Sequence, residues 1–347
     1  MTESRSRQEP PTHPSGGPRL SVRLLLAATA IFVTLLTVEA GARIYALATS
    51  KVRGMTYDAE LGWRPLPHVS KQGGVWGATR PASTNSRGWR DREHAFAKPA
   101  GVRRVVAIGD SFTFGTEVND GERFTDLLQQ PESGQEVVNL GVAGYGPDQE
   151  LRVLETEAFR YEPDVILLTS CVKNDLEDLT YERLYSWPKP TYVLAGDALQ
   201  LRKPRRTWDI ALRTHSYLVE TLFQKFWNED LRPVTVSANG GGSIARLFDT
   251  IVGKMAATAR ERHASLVAVL AYVPDAGDPA ADRTAAVMKN AFDLAGVPWL
   301  DTRDLLRQRS ATPDQSFYAT GGTHWNAAGH VIVAEGVREL IRSKAGR

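Results

Sequence analysis

The sequence predicts a three-layer α/β/α domain with a flavodoxin-like, five-stranded parallel sheet, preceded by one N-terminal transmembrane helix. Three observations support this prediction: an apolar run near the N-terminus, an alternation of short apolar strands and amphipathic helices from residue 101 onward, and polar motifs that follow the strands. Alternating strands and helices are typical of a parallel sheet that is covered by helices on both faces.

The composition is that of an ordinary globular protein. Of 347 residues, 42% are hydrophobic and 24% are charged, which argues against a disordered chain. The formal net charge is +2, from 42 basic and 40 acidic residues, so the chain lacks the basic surplus of a nucleic-acid-binding protein, and no nucleic-acid partner is expected. The single cysteine, Cys171, excludes an intrachain disulfide and a cysteine zinc cluster. We expect no cofactor and no metal.

The N-terminal region predicts a membrane anchor. Residues 1–23 are polar and rich in Pro, Ser and Arg, as in a disordered cytoplasmic tail, whereas residues 24–48 are apolar except for Glu39 and Arg43. A helix over 24–48 is long enough to cross a hydrocarbon core of ~30 Å, and the basic residues before it favour a cytoplasmic N-terminus. A cleaved signal peptide is the alternative, because Ala40-Gly41-Ala42 offers a small-x-small site. Either interpretation places the rest of the chain outside the cytoplasmic membrane, on the periplasmic or cell-surface side.

Residues 49–100 are rich in Gly and Pro and show no sustained period, which predicts an extended connector. Three tryptophans make it too aromatic for a free linker, so we expect it to pack on the catalytic domain; they are Trp63, Trp76 and Trp89. The catalytic domain itself is assigned to residues 101–347, with an insertion over 179–242. An insertion after a central strand commonly forms a lid over a ligand site, although an inert surface excursion is the alternative.

Within the domain, apolar runs predict five strands, over residues 103–108, 136–140, 165–170, 265–272 and 298–301. Amphipathic patterns predict helices over 148–161, from 244 with Ser243 as its cap, and over 327–343 with Asn326 as its cap. A hairpin is predicted at 195–197 inside the insertion.

Polar motifs follow the first three strands. Gly109-Asp110-Ser111 follows the first strand, Gly144 lies after the second, and Asn174 lies after the third, while His324 precedes the last helix. Ligands of open α/β sheets bind beyond the carboxyl ends of the strands, so we expect these residues to meet there. Acyl transfer needs a nucleophile, a base and oxyanion donors. Ser111 and His324 are the candidate nucleophile and base, and the backbone N–H groups of Ser111 and Gly144 with the Asn174 amide are the candidate oxyanion hole.

These residues resemble the SGNH (GDSL-like) hydrolase family. Gly109-Asp110-Ser111 matches its first block, Gly144 its second, Asn174 its third and His324 its last, and the resemblance covers about residues 100–347. It implies a cofactor-independent serine esterase or O-acyltransferase that acts on ester-linked acyl groups, often acetyl groups of glycans. An acylated carbohydrate or another small ester is therefore the expected substrate. The N-terminal helix and the segments 61–63 and 85–91 also look like those of membrane-anchored bacterial members.

Two positions depart from the family pattern. Gly321 stands where the family usually has an Asp, three residues before the histidine, and Lys173 stands where a glycine commonly precedes the Asn. A Ser–His dyad or an acid from elsewhere must then serve; the nearest acids are Asp301 and Asp314, neither of them convincing. The missing Asp supports a second hypothesis, a catalytically degenerate glycan-binding or polysaccharide-assembly module on the same fold.

Overall fold

A computed structural model describes residues 19–48, 54–70, 77–129, 134–226, 244–274, 278–310 and 316–345. In chain order its helices and strands are α1 (Leu20–Ala48), β1 (Met55–Asp58), β2 (Gly62–Pro65), β3 (Arg103–Gly109), α2 (Ser111–Phe114), α3 (Phe124–Leu128), β4 (Gln135–Asn139), α4 (Pro147–Thr156), β5 (Val165–Cys171), α5 (Asp175–Asp178), β6 (Arg183–Leu184), β7 (Trp187–Pro188), β8 (Thr191–Ala195), β9 (Ala198–Arg202), α6 (Trp208–His215), α7 (Tyr217–Phe226), α8 (Ile244–Glu261), β10 (Ser265–Ala271), α9 (Pro279–Ala295), β11 (Trp299–Asp301), α10 (Thr302–Arg309) and α11 (Ala327–Ala345).

The central sheet has five strands in the order β11-β10-β5-β3-β4, and every neighbouring pair is parallel. This is the flavodoxin-like order, with the chain starting in the middle of the sheet and switching direction beside β3. The prediction of an α/β fold with five parallel strands is confirmed, and the predicted strand ends differ from the observed ones by at most one residue.

The sheet is buried on both faces because its apolar side chains alternate. In β5, Ile166 and Leu168 pack with the side of the core that includes α4, α8 and α9. Val165 and Leu167 pack with the opposite side, which includes α3, α10 and α11. Successive side chains of a strand point to opposite faces, so a continuous apolar run can serve two helical layers at once. The carboxyl ends of the strands are left as the open edge of the domain.

The helices begin largely where their sequence signals place them. Asn326 caps α11, since its Oδ1 accepts the N–H of Gly329 at 2.9 Å. The predicted helix over 148–161 is in fact α4 followed by a separate 3-10 turn, Ala158–Tyr161, because the backbone leaves the helical region at Glu157 with φ −122°. The predicted cap Ser243 lies outside the described residues.

The described tryptophans of the segment before the sheet are buried. β1 and β2 form an antiparallel hairpin, and the side chains of Trp63 and Trp89 are almost completely buried. The Trp63 ring meets Tyr145 edge-on at 5.6 Å, and the Tyr145 hydroxyl donates to the Trp63 carbonyl. The third tryptophan, Trp76, lies outside the described residues.

The insertion contains two small hairpins and two helices within its described part. β6 pairs with β7, and β8 pairs with β9 through the predicted turn at Gly196-Asp197. The last two elements, α6 and α7, are consecutive in the sequence and are separated only by Ser216.

Helix α1 is the one described helix that is long and apolar enough to cross a membrane, over Leu20–Tyr45. Its leucines are largely exposed, for example Leu25 at 67%, so the catalytic domain does not cover this apolar surface. A signal sequence passes the same test of length and composition.

Candidate active site

The turn that carries Ser111, the candidate nucleophile, is built by the end of β3 and the start of α2. Gly109 has φ +154°, and a Cβ there would overlap the Thr113 hydroxyl, so the turn requires glycine. Asp110 caps α2 by accepting the N–H of Phe112 at 2.9 Å. Burial raises the pKa of Asp110, and the proximity of His324 partly offsets that rise. Ser111 is the first residue of α2 and is only partly buried, at the mouth of the sheet.

His324 meets Ser111 across the sheet edge. The Nε2 of His324 lies 2.7 Å from the Ser111 Oγ, although 213 residues separate the two in sequence. Asp110 Oδ2 is a more distant acceptor for the same hydroxyl, at 3.4 Å. The Phe112 ring packs against the imidazole, with the ring centroids 4.9 Å apart. The contact has the geometry of a serine and its general base.

The other nitrogen of His324 faces an acid that the sequence analysis did not identify. Glu117 Oε1 lies 3.3 Å from His324 Nδ1, and the same oxygen accepts the N–H of Thr323 at 3.3 Å. The distance is at the long end for such a contact, which is common before a substrate is bound. The Thr323 hydroxyl is a second neighbour of Nδ1, at 3.1 Å. Glu117 is therefore a candidate for the acid from elsewhere that the sequence left open.

Gly322 makes the approach of Glu117 possible. A Cβ at residue 322 would overlap the Glu117 carboxylate, so a side chain there would push the acid away from His324. Gly321, which stands at the family's usual Asp position, has φ +69° and open space around it. Gly321 thus occupies the position of the family's usual Asp, and Gly322 leaves space for the Glu117 carboxylate.

Asp301, one of the two acids considered from sequence, has other partners. Asp301 caps α10 through the N–H groups of Arg303 and Asp304, and it pairs with Lys289 at 2.5 Å. Asp314 lies outside the described residues.

The loop that carries Glu117 is held by Arg90 of the connector. The buried Arg90 guanidinium donates to the carbonyls of Phe114, Gly115 and Val118 and pairs with Asp120 at 2.9 Å. Gly115 ends α2 in the left-handed conformation, which turns the chain back toward the nucleophile. The connector is therefore part of the framework of the site.

Gly144 lies in the loop after β4 with φ +85° and is covered by Tyr185. A Cβ at residue 144 would overlap the Tyr185 ring, so glycine lets the two approach closely. Tyr185 lies at the tip of the β6–β7 hairpin, where both Tyr185 and Ser186 adopt positive φ, 51° and 62°. Burial, together with the carboxylates of Asp178 and Asp110, raises the pKa of Tyr185 to about 12.

Asn174 lies after β5, as the N-cap residue of α5. Its Nδ2 donates to Asp178 Oδ2 at 2.6 Å, and burial raises the pKa of Asp178 to about 7. An amide nitrogen carries two hydrogens, so this bond leaves one for another acceptor. Lys173, the other departure from the family pattern, is exposed.

Two more acids lie buried beneath the site. Burial and the neighbouring acids raise the pKa values of Glu150 and Asp175 well above their usual range, which favours their neutral forms. Asp148 instead forms a buried ion pair with Lys189. Within the described ranges, no group of three or more His, Cys, Asp or Glu side chains is arranged to hold a metal ion.

A polar cleft of about 680 Å³ opens on the Glu117 side of the site. Its lining includes Glu117, Glu122, Arg80, Asn119 and Thr320. Hydrogen-bonding side chains of both charge signs thus lie next to the acid that faces His324.

The sequence contained a signal for Glu117. It follows Ser111 by six residues, just after a glycine that can end a short helix, and the Gly-Gly pair before His324 leaves room for an acid. The proximity of these two segments, 207 residues apart, was the missing information.

Solved structures resemble this chain at low sequence identity but over nearly their whole length. A member of the lipolytic protein G-D-S-L family from Veillonella parvula is 15% identical, with a TM-score of 0.42 over 69% of this chain and 97% of that one. The esterase EstA from Pseudoalteromonas is 11% identical, with a TM-score of 0.43 over 71% and 100%. A catalytic mutant of an acetylxylan esterase from Geobacillus stearothermophilus is 13% identical, with a TM-score of 0.41 over 70% and 96%. No curated protein matches the sequence.

A family model decides the assignment. The model of the GDSL-like lipase/acylhydrolase family matches residues 107–332, which include the nucleophile turn, Gly144, Asn174 and His324. The chain therefore belongs to the GDSL-like lipase/acylhydrolase family, a family of carboxylic-ester hydrolases.

Proposed function

We propose that this chain is a serine esterase or O-acyltransferase that works through an acyl-Ser111 intermediate. The observation that carries the proposal is the 2.7 Å contact between Ser111 Oγ and His324 Nε2. Glu117 on the far side of the imidazole gives the pair the third member of a triad. This arrangement argues against the alternative of a degenerate binding module, whose main support was the missing acid at position 321.

The proposed reaction runs in two halves. Ser111 Oγ attacks the ester carbonyl carbon while His324 Nε2 takes the hydroxyl proton, and Glu117 stabilises the imidazolium that forms. The N–H groups of Ser111 and Gly144 and the Asn174 amide are the proposed donors to the oxyanion. Breaking the C–O bond releases the alcohol with the proton from His324 and leaves acyl-Ser111. Water, or the hydroxyl of an acceptor, then attacks with His324 as base, which gives the free acid or a new ester and restores Ser111.

A covalent probe tests the nucleophile. A fluorophosphonate should label the wild-type protein, and Ser111→Ala should abolish both the labelling and ester turnover. Ser265→Ala, at an exposed serine at the start of β10, is the matched control and should leave labelling intact. A folded wild-type protein that resists the probe would overturn the proposed activity.

We further infer that the acyl group is small, and that an acetyl group on a glycan fits best. Tyr185 lies against Gly144 and restricts the space beside the proposed oxyanion hole. The neighbouring cleft is polar and open, which suits a carbohydrate alcohol better than an aliphatic chain. A panel of acetylated glycans, with hydrolysis and transfer products quantified separately, tests both the acceptor and the fate of the acyl group.

Tyr185→Ala tests the acyl restriction. The wild type should hydrolyse p-nitrophenyl acetate at least tenfold faster than the octanoate, and Tyr185→Ala should narrow that ratio by enlarging the space at Gly144. Tyr181→Ala, at a tyrosine that donates to Glu177 outside the Gly144 contact, is the control. An unchanged ratio in Tyr185→Ala would contradict the proposed role.

We propose that α1 is a retained, single-pass anchor with the catalytic domain on the extracytoplasmic side. The apolar span of α1 and the basic residues Arg19 and Arg23 at its N-terminal end support this orientation.

A further inference from the structure

Helix α1 is joined to the insertion by a polar contact near its C-terminal end. The Glu39 carboxylate accepts the Ser216 hydroxyl at 2.8 Å and the N–H groups of Tyr217 and Leu218, each at 3.0 Å. Arg43 donates to Glu39 at 2.8 Å and to the His215 carbonyl at 2.9 Å. Glu39 therefore caps α7 from another helix, satisfying N–H groups that have no partner within α7 itself.

This junction lies where a membrane would end. At ~1.5 Å per residue, the uncharged run from Leu24 to Val38 extends about 22 Å, which is most of the ~30 Å thickness of a hydrocarbon core. Glu39 and Arg43 then reach the headgroup region, and the contacts with residues 215–218 bring the start of α7 and the end of α6 to the same level.

The insertion presents apolar and basic side chains beside this junction. Trp208 and Leu212, four residues apart on α6 and therefore on one face, are 77% and 50% exposed. Arg202, Arg205 and Arg206 are exposed in the segment leading into α6, and Arg206 Nη2 lies 3.2 Å from His215 Nε2. Exposed Trp next to cationic side chains is typical of segments that sit in the headgroup region of an anionic membrane.

We propose that α6 lies on the surface of the bilayer crossed by α1, with Trp208 and Leu212 inserted among the headgroups and the arginines facing anionic lipid phosphates. The occupant of this surface is the membrane, because the contacts of Glu39 and Arg43 hold the C-terminal end of α6 against the helix that crosses it. The inference rests on the proposed anchor. It adds that the catalytic domain is held in one orientation on the membrane and does not swing freely on a tether.

Site-specific fluorescence in vesicles tests the proposal. Full-length protein with Cys171→Ala would carry single cysteines labelled with an environment-sensitive dye, in phosphatidylcholine–phosphatidylglycerol vesicles containing nitroxide-labelled lipid. Retained fluorophosphonate labelling of Ser111 shows that each variant is folded. The labelled positions are Trp208→Cys and Leu212→Cys on α6, Phe32→Cys within α1, and Leu294→Cys as an exposed apolar control on α9.

Lipid quenching at positions 208 and 212 should be at least twice that at 294, and it should decrease in vesicles without phosphatidylglycerol or when Arg202 and Arg205 are changed to Glu. If the dye at position 32 is quenched but the dyes at positions 208 and 212 are as accessible to water as the dye at 294, the surface proposal is overturned and the anchor stands. That result would point to a protein partner for α6 instead. No quenching at 32 would overturn the anchor and the surface proposal together.

Discussion

At the scale of single residues, the carboxylate that faces His324 comes from a position other than the family's usual one, residue 321. The acid that faces His324 comes from Glu117, beside the nucleophile, and Gly322 provides its space. In the proposed mechanism, the carboxylate beside Nδ1 favours the imidazolium that forms during acylation. The proposed triad therefore takes its acid from a segment other than the one that carries the family's usual Asp.

Glu117→Gln should lower kcat about 100-fold, with a smaller change in KM, because the amide cannot stabilise the imidazolium. Steady-state kinetics on an acetyl ester would measure this. Glu122→Gln is the matched control, since Glu122 lines the same cleft but bonds to Asn119. Gly322→Ala should reproduce the defect, and adding it to Glu117→Gln should cost little more, since both changes remove one interaction. Full activity in Glu117→Gln would mean that a dyad suffices.

At the scale of elements, the nucleophile loop is held from outside the domain core. Arg90 binds the carbonyls of Phe114, Gly115 and Val118, so the connector fixes the loop that leads to Glu117. The segment 85–91 therefore has a structural reason to accompany the turn that carries Ser111.

Helices α3 and α11 are joined by a histidine that must stay neutral. His330 Nδ1 accepts the N–H of Phe124 at 3.1 Å. Burial, with the nearby charges of Arg123 and Arg90, lowers the pKa of His330 to about 3. The unfolded chain binds a proton near the ordinary pKa of 6.5, whereas the folded protein does not. The stability from this group is therefore present above pH 6.5 and is lost as the pH falls toward 3.

Denaturant unfolding of the wild type and His330→Gln over pH 4–8 would measure this term. Below pH 6.5, His330 should lower the free energy of unfolding of the wild type by up to about 1.4 kcal/mol per pH unit. His330→Gln should not show this contribution. Above pH 7.5 the difference in the free energy of unfolding between the two proteins should be constant. This range is the internal control, because the buried acids are present in both proteins and contribute equally. Parallel curves throughout the range would show that His330 is protonated in the folded protein.

At the scale of the whole molecule, the N-terminal helix and the catalytic domain share a cap. Glu39 satisfies the first N–H groups of α7, and cleavage at the small-residue site 40–42 would remove it. The structure thus gives α1 a role that a discarded signal peptide would not have.

Intact mass spectrometry of protein purified from membranes should show a mature N-terminus upstream of Glu39. The mass of the C-terminal peptide of the same sample is the control, because an intact C-terminus excludes general proteolysis. A mature chain that starts near residue 43 would contradict the retained anchor.

Much of the fold was predictable because its signals are local. The five strands appear as apolar runs, and Asn326 caps α11 as its side chain predicts. The helix over 148–161 was predicted too long because the break at Glu157 has no strong sequence signal. The turn at Ala195–Ala198 was predictable because Gly196 adopts the left-handed conformation it favours.

The sequence by itself determined the strand–helix alternation, the anchor-like helix and the candidate residues Ser111, Gly144, Asn174 and His324, since each depends on neighbours a few positions away. Only the tertiary structure decided that Glu117 faces His324, that Tyr185 covers Gly144 and that Glu39 caps α7. These contacts join segments far apart in the chain. They depend on which loops the sheet order brings to one edge, and no local periodicity records that.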